Sequence, residues 1–245
     1  MRTRRFKHRG HGGAQRNPLC PSVFKWKRCQ VKPHLVRAES AAHFLTFSTT
    51  NMILNDHQIR DLAGAGMIDP FEARLVRVLD NGQRVLSFGL SSYGYDLRLS
   101  PKEFLIFRHV PGTVVDPKAF NSKNLEKTPL HQDGSGKYFI LPARSYGLGV
   151  AVEELHLPGD VTAICVGKST YARCGIIANV TPAEAGWRGH LTLEFSNSSA
   201  ADCRIYADEG VVQMLFFRGE PCGTSYRARR GKYQNQSKRV TLPRV

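Results

Sequence analysis

The chain has 245 residues, of which 41% are hydrophobic, which is enough for a folded core and excludes wholesale disorder. Its formal net charge is +15, but residues 1–51 hold eleven Lys and Arg against one acid. The rest of the chain is only mildly basic, which suits an anionic ligand without requiring nucleic acid. No apolar run approaches the ~20 residues that span a bilayer, so we expect no membrane helix.

The first 51 residues differ from the rest in composition. They are rich in Arg, His and Gly and lack hydrophobic periodicity. We expect a disordered extension or a mis-assigned start, while a transit peptide or a phosphate- or nucleic-acid-binding arm stays open as an alternative. Because Met52 opens a plausible domain start, MILNDHQIRDL, the predicted domain covers 52–245.

The first predicted element is a short helix over 55–65. Asn55 or Asp56 can cap its start, and Ile59 and Ala63 share one face. The glycines at positions 64 and 66 are expected to end it.

From residue 87 onward the pattern indicates β structure. In GLSSYGYDLRL (89–99), the apolar residues Tyr95, Leu97 and Leu99 alternate with small or polar residues. EFLIF (103–107) and TVVD (113–116) are also predicted to be β-strands.

The polar, Lys- and Asn-rich stretch 117–137 is predicted to be a loop. Short apolar segments with turn signals between them follow it, which predicts an all-β barrel or roll. These segments occupy 138–155, 160–167, 175–182, 190–197, 203–210 and 211–219.

The cysteines and histidines give no metal signature. The six cysteines contain no CxxC pair, and we expect isolated buried thiols in a reducing compartment. They are Cys20, Cys29, Cys165, Cys174, Cys203 and Cys222. His190 and Glu194 stand four residues apart on a predicted strand, ~13 Å, too far to ligate one ion. The H-x-E and P-C-x-x-C pattern of zinc deaminases is absent from the sequence.

The first candidate site is the segment GKSTYAR (167–173), which directly follows a predicted strand. Small polar residues there can offer backbone N–H groups and hydroxyls to phosphate oxygens, and Lys168 and Arg173 add positive charge. The spacing is not that of a Walker loop. A solvated turn with ordinary surface charges is the alternative.

The second candidate is the segment GWRGHLTLEFSN (186–197), which contains the predicted strand 190–197. Alternation places Leu191, Leu193 and Phe195 on one face and Thr192 and Glu194 on the other. A carboxylate in mid-strand is costly to bury, and burial tends to raise its pKa, which suits a general base that later acts as an acid. The alternative is a strand whose second face is wet.

The third candidate is the basic tail segment GKYQNQ (231–236), which can close over a bound triphosphate. A frayed terminus is the alternative.

Taken together, four segments resemble the dCTP deaminases of the trimeric dUTPase-like superfamily, in that family's order. They are SSYGYDLRL (91–99), the long segment from GKSTYARCG to TLEFSNSS (167–199), YADEGVVQMLFF (206–217) and GKYQNQ (231–236). The resemblance runs from about Met52 to Val245. It implies a mainly β, dUTPase-like β-roll or β-clip with a short N-terminal helix, assembled as a homotrimer whose active sites draw on more than one subunit.

The resemblance also implies the site residues. Glu194, Ser169 and Arg173 match the catalytic residues. The substrate-binding positions are Lys168, Ser169, Thr170, Tyr171, Ala172, Arg173, Thr192, Leu193, Glu194, Gln213, Tyr226 and Gln236. Lys232 is a weaker phosphate-binding candidate. We expect the spacing between Tyr226 and GKYQNQ to differ by one residue from that in close relatives, which bears on the register of Tyr226.

The implied function is metal-independent, hydrolytic deamination of dCTP to dUTP and ammonia, which feeds dUMP and dTTP synthesis in the cytoplasm. No cofactor is bound by the protein itself, and Mg²⁺ accompanies the triphosphate. dTTP is a candidate inhibitor, and neither a membrane nor a specific nucleic acid is expected as a partner.

Two alternatives remain. The first is a dUTP diphosphatase or a bifunctional enzyme on the same fold, although its usual Asp and Tyr positions hold Glu184 and Trp187 here, and a Gly/Ser-rich C-terminal clamp is missing. The second is a non-catalytic nucleic-acid-binding protein, suggested by the basic residues 1–51 but lacking an aromatic platform or helix-turn-helix pattern.

Overall fold

The structure is a computed structural model that describes residues 52–108 and 110–245. The predictions for residues 1–51, including those for Cys20 and Cys29, lie outside the described residues. Within the described part, no helix has the length and apolarity to cross a bilayer.

Helix α1 (Asp56–Gly64) begins and ends as the sequence predicts. Asn55 Oδ1 accepts the Gln58 backbone N–H at 3.0 Å, and Gln58 Oε1 accepts the Asn55 N–H at 3.1 Å. This capping box satisfies two amide donors that the first helical turn leaves free. Ile59 and Ala63, one turn apart, are buried against the sheet.

Besides α1, the described residues form fourteen strands, a 3-10 turn (Ser122–Asn124) and one further α-helical turn, so the prediction of a mainly β protein is confirmed. The strands are β1 (Ile68–Asp69), β2 (Leu75–Val78), β3 (Arg84–Ser91), β4 (Gly94–Phe107), β5 (Leu125–Lys127), β6 (His131–Asp133), β7 (Gly136–Leu141), β8 (Tyr146–His156), β9 (Val161–Gly167), β10 (Ile176–Ala178), β11 (Thr181–Ala183), β12 (Arg188–Asn197), β13 (Cys203–Tyr206) and β14 (Gly210–Arg218). The helical turn is α2 (Ser169–Ala172).

The main sheet is antiparallel and closes on itself. Its strand order runs β10-β12-β8-β4-β14-β9-β11. The two end strands, β10 and β11, are consecutive in the chain and are joined by Asn179 and Val180 alone. Because two residues span at most ~7 Å, the ends of the sheet must meet. The sheet is therefore a roll, with a seam at Asn179 and Val180.

Strand β4 runs through both halves of the roll. Its first part pairs with β14 and its second part with β8, and the register with β8 shifts between Leu99 and Phe104. Pro101 lies in that irregular stretch, where its missing N–H costs no ladder hydrogen bond. The alternation predicted for this strand is confirmed, since Tyr95, Leu97 and Leu99 are fully buried.

Two sequence predictions in this part of the chain are wrong. Residues 113–116 form no strand, because Val114 and Val115 find no partner strand and remain exposed at 89% and 49%. The stretch 117–137 is not a continuous loop, since it contains β5, β6 and the start of β7. These short polar strands form because β4 and β7 offer pairing edges, which composition does not reveal.

The sequence predicts β structure only from residue 87 onward, but strands β2 and β3 already form a hairpin that begins at Leu75. Its turn contains Asn81-Gly82, with Gly82 at φ 83°, and this dipeptide is a recognised hairpin signal. The expectation of buried thiols is confirmed for Cys165 but wrong for Cys174 and Cys222, which are exposed because they lie outside the strands.

Candidate active site

A cavity of about 330 Å³ opens beside the seam of the roll. Aromatic side chains form much of its wall, namely Phe107, Tyr146, Trp187, Tyr226 and Tyr233. The other polar groups of the lining come from Thr181, Glu184, Thr192, Glu194, Gln236 and Thr241. Apolar walls with a few converging polar groups are typical of a small-molecule site.

Glu194 lies on β12 and faces this cavity. The predicted alternation is confirmed, because Leu191, Leu193 and Phe195 are buried in the core. Burial raises the pKa of the Glu194 carboxyl, while hydrogen bonds from Thr181 and Asn179 act in the opposite direction. A half-buried carboxyl with a raised pKa is suited to giving and taking protons near neutral pH.

The seam holds Glu194 from two sides. Thr181 Oγ1 hydrogen-bonds Glu194 Oε2 at 3.2 Å, and the Asn179 backbone N–H donates to the Glu194 carbonyl at 2.9 Å. Sequence reasoning missed both residues, because neither belongs to the strand that carries Glu194.

A second buried carboxylate, that of Glu153 on β8, shows what a structural carboxylate looks like in this fold. It has no exposed surface, and its two oxygens accept the Arg98 side chain at 2.7 Å and the Arg98 backbone N–H at 2.9 Å. Burial raises the pKa of Glu153 while Arg98 lowers it. Glu194 has no such cationic partner among the described residues and opens on a cavity, which makes it the better candidate for chemistry.

The tail is packed across the cavity, so the alternative of a frayed terminus is wrong. Trp187 Nε1 donates to the Tyr233 carbonyl at 2.8 Å, and the Tyr226 hydroxyl accepts the Tyr233 N–H at 3.0 Å. The His190 N–H donates to the Gln236 carbonyl at 3.0 Å, which runs the tail alongside β12. Tyr226 and Gln236 therefore reach the cavity as predicted, whereas Lys232 is exposed and outside its lining.

Thr192 is the point at which the tail meets the strand. Its Oγ1 donates to Gln236 Oε1 at 2.8 Å and accepts the Thr241 N–H at 3.0 Å. The Leu193 side chain is buried in the core. If Leu193 contacts the substrate, only its backbone groups can do so.

The tail can approach β12 closely because residue 189 is glycine. Gly189 has φ 141°, and a Cβ built on it would lie 2.5 Å from the Gln236 backbone nitrogen. Any larger residue would have to displace the tail.

The segment 168–173 forms a separate cluster. Neither Ser169 nor Arg173 is among the described residues that line the Glu194 cavity, so the predicted catalytic trio is divided within one chain. The segment folds as α2, a single helical turn, with Ser169, Thr170, Ala172 and Arg173 exposed.

Two residues of this segment have internal partners. Lys168 forms an ion pair with Asp96 of β4, and both side chains are largely buried. The Tyr171 side chain is buried, and its hydroxyl accepts the Tyr206 N–H at 2.8 Å, so it acts as a core residue. Sequence reasoning did not identify Asp96 as the partner of Lys168. A signal was present, because Asp96, like Glu194, is a carboxylate between two apolar residues of a strand.

Gln213 also belongs to this cluster rather than to the cavity. It lies on β14 opposite Asp96, and its Nε2 donates to Ser91 Oγ at 3.2 Å.

The described residues contain no group of three His, Cys, Asp or Glu side chains that could hold a metal ion. His190 is half-buried, and burial, with the charge of Lys238, lowers its pKa.

A half-buried carboxyl in an aromatic-walled cavity, carried by a closed antiparallel roll, is typical of a small-molecule site. A family model described as "dCTP deaminase-like" matches residues 53–219. The chain belongs to the dCTP deaminase-like family, which confirms the resemblance seen in its sequence.

Curated relatives agree with this assignment. The chain is 52% identical over 197 residues to a dCTP deaminase from Psychrobacter cryohalolentis, covering 79% of this chain and 99% of the relative. It is 52% identical over 194 residues to a dCTP deaminase from Bordetella petrii, with the same two shares covered. A crystal structure of 2'-deoxycytidine 5'-triphosphate deaminase from Agrobacterium tumefaciens overlaps with a TM-score of 0.47 and 22% identity, over 69% of this chain and 48% of that chain.

Proposed function

We propose that this protein hydrolyses the 4-amino group of dCTP, releasing dUTP and ammonia, with Glu194 as the proton-transfer residue. The observation that carries the proposal is a half-buried carboxyl with a raised pKa, facing a cavity of about 330 Å³. Relatives at 52% identity that are named dCTP deaminase support the choice of substrate.

The chemistry follows from the carboxyl. Ionised Glu194 takes a proton from a water molecule at C4 of cytosine, and the resulting hydroxide adds to C4. Glu194 then passes that proton to the ring nitrogen N3, where it stays in the product, and afterwards carries a second proton from the new C4 hydroxyl to the departing amine. The C4–N bond breaks, ammonia leaves, and a carbonyl remains at C4. One carboxyl thus serves first as base and then as acid, for which a raised pKa is an advantage.

The cavity offers groups of the right kind for the nucleoside. The aromatic walls can pack against the base and sugar, and the backbone of Thr192 and Leu193 can read the cytosine edge. Closure of the tail, through Tyr226 and Gln236, would exclude bulk water from the reacting carbon.

The triphosphate needs a contribution from elsewhere, because no Lys or Arg is among the described residues that line the cavity. The exposed hydroxyls of Ser169 and Thr170 and the guanidinium of Arg173 are the kind of groups that grip phosphate. We infer a homotrimer in which the Lys168–Arg173 turn of one subunit completes the cavity of another. Ser169 and Arg173 would then orient the water and the carboxylate.

We further propose that the protein itself binds no metal, that Mg²⁺ accompanies the triphosphate, and that dTTP inhibits the enzyme. We place the reaction in the cytoplasm, at the step that feeds dUMP and dTTP synthesis. An assay of EDTA-treated protein with controlled re-addition of Mg²⁺ tests the metal proposal, and a requirement for zinc would contradict it.

The rival on the same fold is a dUTP diphosphatase, or an enzyme with both activities. Glu184 stands at the position of the usual Asp and lines the cavity, but it is paired with Arg229 at 3.4 Å. Because Arg229 holds the Glu184 carboxylate and Trp187 stands in place of the usual Tyr, deamination alone is favoured.

Product analysis tests the proposal. The full chain incubated with dCTP should yield dUTP and ammonia, whereas dUMP with pyrophosphate would favour the rival. Glu194→Gln should lower kcat by about 10²–10⁴, because the variant loses its base. Glu126→Gln, an exposed carboxylate on β5, is the matched control and should retain wild-type turnover. Near-normal turnover of Glu194→Gln would refute the assignment.

A further inference from the structure

The connection between β10 and β11, where the roll closes, also contacts the Glu194 carboxyl. Asn179 Nδ2 lies 3.3 Å from Thr181 Oγ1, and Thr181 Oγ1 lies 3.2 Å from Glu194 Oε2. These three polar groups form a chain that runs from the seam into the cavity.

The direction of this chain follows from the atoms. The Asn179 amide nitrogen can only donate, so Thr181 Oγ1 accepts from it. The single hydroxyl hydrogen of Thr181 is then free to point at Glu194 Oε2. Among the described residues, Thr181 Oγ1 hydrogen-bonds Oε2 of Glu194, and no hydrogen-bond distance is found at Oε1. The nearby Asn179 amide also lowers the pKa of the carboxyl directly.

We propose that Thr181 and Asn179 are positioning residues that hold Oε2 of Glu194, so that Oε1 is the oxygen that exchanges the proton with water. This inference rests on the proposed function and extends it from the carboxyl to one of its two oxygens. Asn179 sets the direction of the hydroxyl, and Thr181 both fixes the carboxylate rotamer and stabilises its ionised form.

Other titratable groups face Glu194 from the neighbouring elements. They are Tyr146 of β8, Cys165 of β9, Glu184 after β11, and Tyr226 and Tyr233 of the tail. Burial raises the pKa of Tyr146, and it raises the pKa of Cys165 to about 12, so both stay neutral near pH 7. Glu184 is paired with Arg229. The loss of activity at acid pH should therefore follow Glu194.

The test compares Thr181→Val, which keeps the shape but removes the hydroxyl, with Thr181→Ser, which keeps the hydroxyl. Without its donor, ionised Glu194 is less stable and its pKa rises further. The base is then lost at a higher pH, so the acid limb of kcat/KM should move upward. At pH values below that limb, Thr181→Val should be about tenfold slower than the wild type, while KM changes little. Thr181→Ser should restore the wild-type profile.

Asn179→Ala should shift the limb in the same direction but less, because it removes the group that directs the hydroxyl. Thermal unfolding of each variant separates these effects from loss of fold. A Thr181→Val enzyme that is folded and has an unmoved acid limb would overturn the proposal.

A direct titration keeps the two proposals separable. The ¹³C-carboxyl signal of Glu194, assigned by its absence in Glu194→Gln, should titrate at a higher pH in Thr181→Val than in the wild type. If the wild type fails to deaminate dCTP, the proposed function fails, yet this titration still reports on the hydrogen bond. If deamination occurs and the titration is identical in both proteins, the positioning role is wrong.

Discussion

The Glu194 cavity and the Lys168–Arg173 turn are both polar clusters built on strands of one roll, yet they satisfy their polar groups differently. In the cavity, Thr181 holds Glu194, and the tail bonds Thr192 through Gln236. In the turn, Lys168 is neutralised internally by Asp96, while Ser169 and Arg173 point outward.

This difference separates two tasks. The cavity has a half-buried carboxyl and aromatic walls but no cationic side chain among its described lining residues. The turn has an exposed guanidinium and hydroxyls, and none of its described residues lines the Glu194 cavity. Each region lacks what the other offers, which is the arrangement expected when the two meet across a symmetric interface.

The largest effect should come from mixing two inactive chains. Glu194→Gln and Arg173→Ala should each abolish most deamination. When the two are co-expressed and purified together, about one quarter of sites should combine an intact Glu194 with an intact Arg173 from another subunit. Turnover of the mixed enzyme measures this recovery, and each variant expressed alone is the control. No recovery would mean that both residues serve a site within one chain, contrary to our comparison.

A smaller effect is expected when the tail is displaced. In Gly189→Ala the new methyl group would meet the Gln236 backbone, so the bond from Thr192 to Gln236 should be lost. We expect KM for dCTP to rise about tenfold, equivalent to one lost hydrogen bond. Gly159→Ala is the control, because a Cβ there meets nothing within 4 Å. Equal KM values for the two variants would show that tail docking does not serve the cavity.

Of the three changes, Asp96→Asn should alter the deamination rate least, but it should clearly lower the stability of the fold. Removing one partner of a largely buried ion pair leaves Lys168 uncompensated and should lower the free energy of unfolding by about 3 kcal/mol. Asp208→Asn, which breaks the exposed pair with Lys137, should cost at most about 1 kcal/mol. Urea unfolding measures both, and similar values would mean that the buried pair does not anchor the turn.

Much of the framework could be predicted locally. Asn55 with Gln58 specifies the start of α1, because a capping box needs only residues three apart. The alternation around Tyr95 and around Glu194 placed core and cavity faces correctly, since the side-chain period of a strand is fixed by backbone geometry. The four motif segments were sufficient to indicate the family.

Other features could not be read from neighbouring residues. The strands β5 and β6 exist because partner edges are available, and the exposed valines 114 and 115 form no strand because none is. Asp96 and Lys168 are 72 residues apart, and Trp187 and the Tyr233 carbonyl are 46 apart. Such pairs depend on which strands become neighbours, and alternation carries no information about that.

The sequence by itself singled out Glu194 as the candidate for proton transfer, because a carboxylate on the polar side of an otherwise apolar strand is visible in the alternation of β12. Only the tertiary structure decided what holds that carboxylate and what covers it. The closure of the roll brings Thr181 to Glu194, and the return of the tail brings Gln236 to Thr192. Both contacts join segments distant along the chain, so their geometry is fixed by strand pairing and packing rather than by local preference.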